Sequence, residues 1–376
     1  MSRARIVEAL RSPIGTAGHG LRDVTAAELA APVLRAVHEA VHETVTELGR
    51  PDEVVLGNCM GPGGDVARVA TLAAGLGVTV PAVTVDRQCG SGLAAVDLGV
   101  ALVRAGAPLV LAGGVESAST APWRFWPPVD GGRPQRYERA PFAPVELGDP
   151  DMGLAADLLA EERGIDRERQ DAYAARSHRL ACAARDAGAY DVELVPVAGL
   201  DRDERPRSGL DVDRLGRFRA AFRDGGTVTA GNSCGINDGA AVVALAADDC
   251  GLPGLRVLAT ATAGVDPHRP GIGIVPAVRA ALDRAGVGID ELDVIEFNEA
   301  FAGQVLACYD ELDIDPERGC TEGGALALGH PWGASGAVLV TRLFSQMIRA
   351  GRGCYGLAAI AVGGGQGVAM VVEACR

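Results

Sequence analysis

The chain contains no lysine, so every basic side chain is arginine, and aromatic residues make up only 4% of it. It also lacks positive charge overall. The balance is -14, which argues against nucleic acid or an anionic membrane surface as the main partner. No apolar run approaches the roughly 20 residues needed to span a bilayer, and the stretch from Arg3 to Ile14 has no uninterrupted apolar core behind its charges. A cytoplasmic location is therefore expected. The nine cysteines are scattered without a C-x-x-C pair, which indicates neither zinc nor a disulfide framework. Reduced thiols and no metal are expected.

What is present is a 376-residue chain that is 48% hydrophobic, 22% charged and carries 51 glycines. That composition fits an Ala/Val/Gly-rich α/β protein, and the length suggests two similar domains or one domain with a large insertion. The strand Ala4–Leu10 is followed by a polar loop. Thr25 and Glu28 then form a capping-box pattern ahead of a helix reaching about Leu48. Val54–Gly57 reads as a strand, Asp65–Gly75 as a helix, and Pro81 starts a strand that delivers Cys89. Behind Cys89, a helix runs from Leu93 to Arg104, and a strand from Pro108 ends at Gly113-Gly114. The alternation predicts a mostly parallel or mixed sheet with helices on both faces.

From Ser119 to Arg223 the periodicity breaks, with a Pro/Trp/Arg-rich stretch at 122–128 and a charged helix over 167–187, and reads as an insertion. Strand and glycine patterning is expected to resume at Thr227–Asn232. The remainder resembles the first section in miniature: a strand at 293–297, a helix opened by Gly333-Ala334-Ser335-Gly336, and a strand at 357–362 ending in Gly363-Gly364-Gly365. The expected boundaries are 1–118 with 225–254 for a first half, 119–224 for the insertion and 255–376 for a second half.

Cys89 stands on a strand–turn–helix junction, Asp86-Arg87-Gln88-Cys89-Gly90-Ser91-Gly92. Unpaired backbone N–H groups and the helix dipole there are expected to favour thiolate. Gly90 and Gly92 remove side chains where an acyl group would approach the sulfur. Three loops of the second half belong with it: Asn298-Glu299-Ala300-Phe301, Gly329-His330-Pro331 and Gly363-Gly364-Gly365-Gln366-Gly367. A histidine held between glycine and proline at a helix start is poorly explained by packing alone, whereas Asn298 has the simpler reading of a helix cap.

Together with Gly113–Ser117, Thr227–Asn232, Gly235–Ala241 and Gly323–Pro331, these motifs resemble the thiolase family in order and spacing, nearly end to end. The resemblance implies two similar βαβαβαββ halves in an α/β/α/β/α arrangement with an inserted loop domain. It implies that Cys89 takes an acyl group from a coenzyme A or carrier-protein thioester, that His330 activates Cys89, and that Asn298 holds a water which with His330 forms an oxyanion hole. Backbone N–H groups at Cys89 and in the loop of Gly363, Gly364 and Gly365 would make a second hole. Fixed donors of this kind are worth about 2.7–4 kcal/mol each. No cofactor beyond the thioester substrate is implied, and the family is dimeric or tetrameric.

The sequence departs from the family two residues before the triple glycine, where thiolases carry the cysteine that removes the α-proton of the second substrate and this chain has Ala361. Losing a positioned base forfeits about 10²–10⁴-fold in rate. Either a decarboxylating extender such as a malonyl thioester or another base, with Glu322 the candidate, would answer the loss. Asp151, Glu322 and Cys234 replace the usual histidine, asparagine and serine, and Trp123-Arg124 the usual proline and histidine. Loop arginines, among them Arg207, Arg217 and Arg219, are candidates with Cys234 for holding coenzyme A, or else form a solvated loop balanced by acids such as Asp211 and Asp213. The leading expectation is an acyl-Cys89 enzyme making carbon–carbon bonds. Acyl transfer to an amine, hydroxyl or water, and a silent acyl-CoA-binding or partner subunit, are the alternatives.

Overall fold

A computed structural model of the chain describes residues 3–45 and 48–376. The first half runs β1 (Ala4–Arg11), β2 (Gly15–Thr16), α1 (Ala26–Thr44), β3 (Glu53–Gly57), α2 (Val66–Ala73), β4 (Ala82–Val85), α3 (Ser91–Arg104) and β5 (Leu109–Ser117). A long excursion carries β6 (Arg124–Trp126), β7 (Gln135–Tyr137), α4 (Met152–Glu162), α5 (Arg167–Asp186) and α6 (Val212–Leu215) before β8 (Asn237–Ala247) returns to the sheet. The second half follows as β9 (Gly254–Gly264), α7 (Ile274–Ala285), β10 (Leu292–Phe297), α8 (Ala302–Glu311), α9 (Ala325–Leu328), α10 (Trp332–Phe344), β11 (Tyr355–Val362) and β12 (Gln366–Cys375).

The strands form one extended order, β10-β11-β12-β9-β1-β8-β5-β3-β4, with β2 paired to β8. Its two halves meet through a short pairing of Arg5 and Ile6 with Arg256 and Leu255. In each half two parallel strands (β3 with β5, β10 with β11) continue into antiparallel partners (β8 and β1, β12 and β9). The second half keeps only an isolated parallel bridge, Ile295 to Gly319, where the first half has β4.

Side-chain alternation explains the layering. On β5, Leu109, Leu111 and Val115 join an apolar cluster with α1 and α2, while Val110 and Ala112 face a second cluster containing residues of α3 and α10. Strands covered on both faces read as continuous apolar runs, as β5 and β8 do. The third cluster gathers α7, α8 and the outward face of β11. The central layer is α3 against α10, and α10 is buried at every position from Gly333 to Phe344, mostly apolar, with its polar Ser335, Thr341 and Arg342 each hydrogen-bonded. Their approach requires glycine: a Cβ at Gly92 would lie 2.9 Å from both Ala337 N and Gly333 O.

The capping box at α1 forms as read, with Glu28 N–H donating to Thr25 Oγ1 (3.4 Å) and Thr25 N–H to Glu28 Oε2 (3.0 Å). That helix closes at Thr44, and the expected stretch on to Leu48 crosses residues 46–47, outside those described. The expected strand at Thr227–Asn232 is a loop instead. Asn232 Oδ1 accepts from Thr229 N–H (2.8 Å) and Thr229 Oγ1 accepts from Gly231 and Asn232 N–H, so side chains take up the backbone groups that a ladder would have used.

Candidate active site

Cys89 is placed by a strained turn. Between β4 and α3, Gln88 sits at φ +46°, a region costly for a residue with a Cβ. The turn is closed by Ser91 Oγ, which accepts from Arg87 N–H (2.7 Å) and donates to Gln88 O (2.6 Å). Gly90 must be small, since a Cβ there would lie 2.7 Å from Val362 Cγ2. The backbone N–H groups of Gly363 and of Cys89 itself favour the thiolate form.

His330 arrives from the other half. Its N–H donates to Asn237 Oδ1 (3.0 Å), and Ile236 bridges to it, so the Gly235–Ala241 motif holds the histidine loop in place. Gly329 before it has φ +112°, out of reach of most side chains. His330 Nδ1 lies 2.6 Å from Ser335 Oγ, and Ser335 donates its hydroxyl proton to Pro331 O (2.9 Å). With the hydroxyl proton directed to Pro331 O, the hydroxyl accepts from Nδ1–H, the tautomer that leaves the Nε2 lone pair as the basic site. Glu116 pins the start of α10 by accepting from Gly333 N–H (3.0 Å), and ties the same point to Cys59 N–H (3.2 Å) and Met60 N–H (3.1 Å).

Cys89 and His330 line one cavity of about 100 Å3, together with Cys234, Trp332, Ala361 and Gly363. Met152, Phe301 and Gln304 complete much of its wall. Burial dominates the electrostatics. It pushes the Cys89 thiol up to about 12, outweighing the two N–H groups that favour thiolate, and pushes His330 down to about 4. The expected helix-dipole activation of Cys89 is thus overridden. The resting pair is a neutral thiol beside a neutral imidazole, and the thiol needs a base to react.

The other candidates are placed as follows. Asn298 is buried but does not cap a helix, because α8 begins at Ala302 with Phe301 as its N-cap. Its side chain fronts a separate cavity of about 20 Å3 with Glu296, Ser335 and Arg342, and its Oδ1 has no hydrogen-bond partner. Gly363–Gly365 form the turn between β11 and β12, with Gly364 and Gly365 at φ +82° and +81°. Ala361 lines the Cys89 cavity as an apolar wall.

Glu322 is corrected as the replacement base. Its carboxylate is bound by Arg342 and by Arg352 Nη1 (2.8 Å) and does not line the Cys89 cavity, so a buried ion-pair network holds it elsewhere. Arg207, Arg217 and Arg219 stand on an exposed segment and none lines the cavity. Asp151 is 82% exposed and turns toward Arg139 (3.6 Å), while its neighbour Met152 faces the cavity. Trp123 and Trp126 lie on the exposed β6–β7 hairpin, where Trp123 is covered by Arg136 (4.5 Å) and Trp126 stacks on Tyr137 (4.6 Å). Among the described residues no group of three His, Cys, Asp or Glu side chains forms a metal site, and no helix is long and apolar enough to cross a membrane.

Sequence reasoning did not single out Ser335, Glu116, Asn237 or Trp332 as parts of the site. The signal for the first three was their place inside the motifs, but a motif does not say which member touches which. Trp332 carried no signal beyond adjoining His330-Pro331.

The arrangement is matched elsewhere. Residues 4–249 fit the thiolase N-terminal domain model and residues 253–374 the thiolase C-terminal domain model. An acetyl-CoA acetyltransferase of Pseudomonas aeruginosa is 43% identical over 390 aligned positions covering 98% of each chain. A putative acetyl-CoA C-acetyltransferase of Bacillus subtilis is 41% identical across 98% of this chain and 99% of its own. Among solved structures, the acetyl-CoA acetyltransferase of Bacillus anthracis superposes with a TM-score of 0.91 at 38% identity, over 100% of this chain and 99% of its own. Human mitochondrial 3-ketoacyl-CoA thiolase in complex with CoA gives 0.92 at 33% identity, over 100% and 98%. With both halves matched and such identity sustained along its whole length, the chain belongs to the thiolase family.

Proposed function

We propose that this protein is an acyltransferase that loads the acyl group of a coenzyme A thioester onto Cys89 and passes it to a carbon nucleophile. The observation that carries the reading is the meeting of Cys89 and His330 in one apolar cavity that Gly363 also lines, with Nε2 as the basic nitrogen. His330 takes the thiol proton as the sulfur attacks. The Cys89 and Gly363 N–H groups then face the charge that develops on the thioester oxygen. We assign a water-holding role to Asn298 in the cavity it shares with Ser335, which the buried, unpartnered Oδ1 supports.

The names of the relatives make acetyl-CoA the first thioester to try. A malonyl thioester is less well served, because among the described residues no arginine lines the cavity to meet its carboxylate. Arg207, Arg217 and Arg219 are our candidates for the phosphates of coenzyme A: all three are exposed and none has a carboxylate partner among the described residues. A homo-oligomer is the assembly we expect, since β4 leaves one sheet edge open and Trp123, Phe125 and Trp126 are exposed on the hairpin.

Incubation with acetyl-CoA, followed by intact-mass measurement, is expected to add one acetyl group to the wild type and none to Cys89→Ala. A wild-type protein that stays unmodified by acetyl-CoA and by longer acyl-CoAs refutes the reading. With the adduct in hand, a condensation product from acetyl-CoA alone distinguishes the non-decarboxylative route from one that requires malonyl-CoA.

A further inference from the structure

Carbon–carbon bond formation between two acyl thioesters needs a group to remove the α-proton of the second, and Ala361 offers none. Glu322 is held in its ion pairs outside the cavity. Among the described residues that line the Cys89 cavity, the only side chains able to take a proton are Cys89, His330 and Cys234. Cys89 carries the acyl group at that stage. In the scheme below His330 is reserved for the Cys89 proton, taken up on acylation and returned when the bond to Cys89 breaks. That leaves Cys234.

Its position is well determined. Cys234 N–H donates to Ala300 O (2.9 Å), and the neighbouring Ser233 bridges to Phe301, so the thiol is fixed to the same loop that carries Asn298. Beside it, the Arg205 guanidinium lies against the backbone of Gly235, where a Cβ would come within 2.6 Å of Arg205 Cζ. Arg205 has no carboxylate partner among the described residues, and its buried Nε has no hydrogen-bond partner. Burial raises the Cys234 thiol to about 12 and the field of Arg205 opposes that rise; the sulfur also senses charge on Cys89. A cation without a carboxylate next to a thiol is the arrangement that stabilises a thiolate.

We propose that Cys234, supported by Arg205, is the proton-transfer residue of this site in place of the side chain absent at position 361. This rests on the acyl-Cys89 reading. In the first half-reaction the Cys89 proton passes to His330 Nε2, the Cys89 sulfur bonds to the acyl carbon, and the bond from that carbon to the coenzyme A sulfur breaks. Cys234 gives its proton to the departing coenzyme A thiolate and becomes a thiolate. In the second, Cys234 takes the α-proton of the incoming thioester, and the resulting enolate carbon attacks acyl-Cys89. The carbon–sulfur bond to Cys89 breaks, and the Cys89 thiolate recovers the proton from His330. All three groups return to their starting state.

The test separates acylation from proton abstraction. Wild type, Cys234→Ser and Cys234→Ser combined with Ala361→Cys are each given acetyl-CoA in D2O. Acyl-Cys89 is followed by intact mass and deuterium uptake at the acetyl methyl by NMR. The wild type is expected to show both adduct and exchange. Cys234→Ser is expected to form the adduct more slowly, because the departing coenzyme A thiolate loses its proton donor, but to reach it on long incubation, while exchange and condensation fall by about 10²-fold or more, and adding Ala361→Cys is expected to restore exchange to within about tenfold of wild type. Exchange at the wild-type rate in Cys234→Ser overturns the proposal. So does a loss that Ala361→Cys fails to rescue, or a wild type that acylates but never exchanges. A wild type that forms no adduct fails earlier, at the acyl-enzyme step, and is told apart by the mass measurement.

Discussion

Ser335 makes a sharp test of how His330 works. Its hydroxyl, 2.6 Å from Nδ1 and committed as a donor to Pro331 O, selects the imidazole tautomer whose Nε2 is free. In Ser335→Ala, a buried Nδ1–H loses its acceptor at a cost of about 1–3 kcal/mol, and the tautomer with a blocked Nε2 gains population by a similar amount. That converts to about 10–100-fold in the rate at which Cys89 gives up its proton. The rate is read as acetyl transfer from acetyl-CoA, and independently as alkylation of Cys89 by iodoacetamide, both followed by intact mass. The pH profile carries a second check. Because burial holds His330 near 4, its basic form persists as pH falls, and the wild-type rate is expected to stay level from about pH 9 down to about pH 5. A Ser335→Ala rate within twofold of wild type would refute the tautomer assignment. A wild-type rate that halves near the ordinary histidine value of about 6.5 would refute the buried neutral imidazole.

Two further outcomes concern stability. Burial raises Glu296 to about 8, and Gln346 Nε2 donates to its Oε1 (2.6 Å). The folded state therefore keeps a proton that the unfolded chain has released, so this stabilisation is complete below about pH 4.5 and is lost as pH rises through about 8, an effect on the order of 5 kcal/mol. Glu296→Gln is expected to flatten the fall in Tm between pH 5 and 9, and an unchanged slope counts against the assignment. Gly92→Ala places a methyl against Ala337 N and Gly333 O at the α3–α10 crossing and is expected to destabilise by about 1–3 kcal/mol in urea unfolding; a neutral result would show that the two central helices can part.

Much of the site was legible because its candidate nucleophile and base are announced locally. Cys89 stands among glycines that a strand–turn–helix junction requires, and His330 between a glycine at positive φ and a proline. The layered fold was legible for a related reason: strands covered on both faces read as continuous apolar runs, as β5 does over 109–115 and β8 over 239–247. The strand expected at Thr227–Asn232 failed because threonine and asparagine side chains captured the backbone groups, a competition that a propensity reading does not weigh.

By itself, then, the sequence determined the alternation of elements, the two halves, the candidate nucleophile and base, and the absence of the usual second cysteine. Tertiary structure decided what each polar residue does. Glu322 was a plausible base on paper and became a buried partner of Arg342 and Arg352, because the arginines come from α10 and the turn behind it, some 20 to 30 positions away. Cys234 was read only as a replacement for serine near coenzyme A, and folding set it in the same cavity as Cys89. Even the protonation state of Cys89 was settled by folding: its helix start favours thiolate, but enclosure by both halves removes the water that a thiolate needs, and desolvation outweighs the dipole.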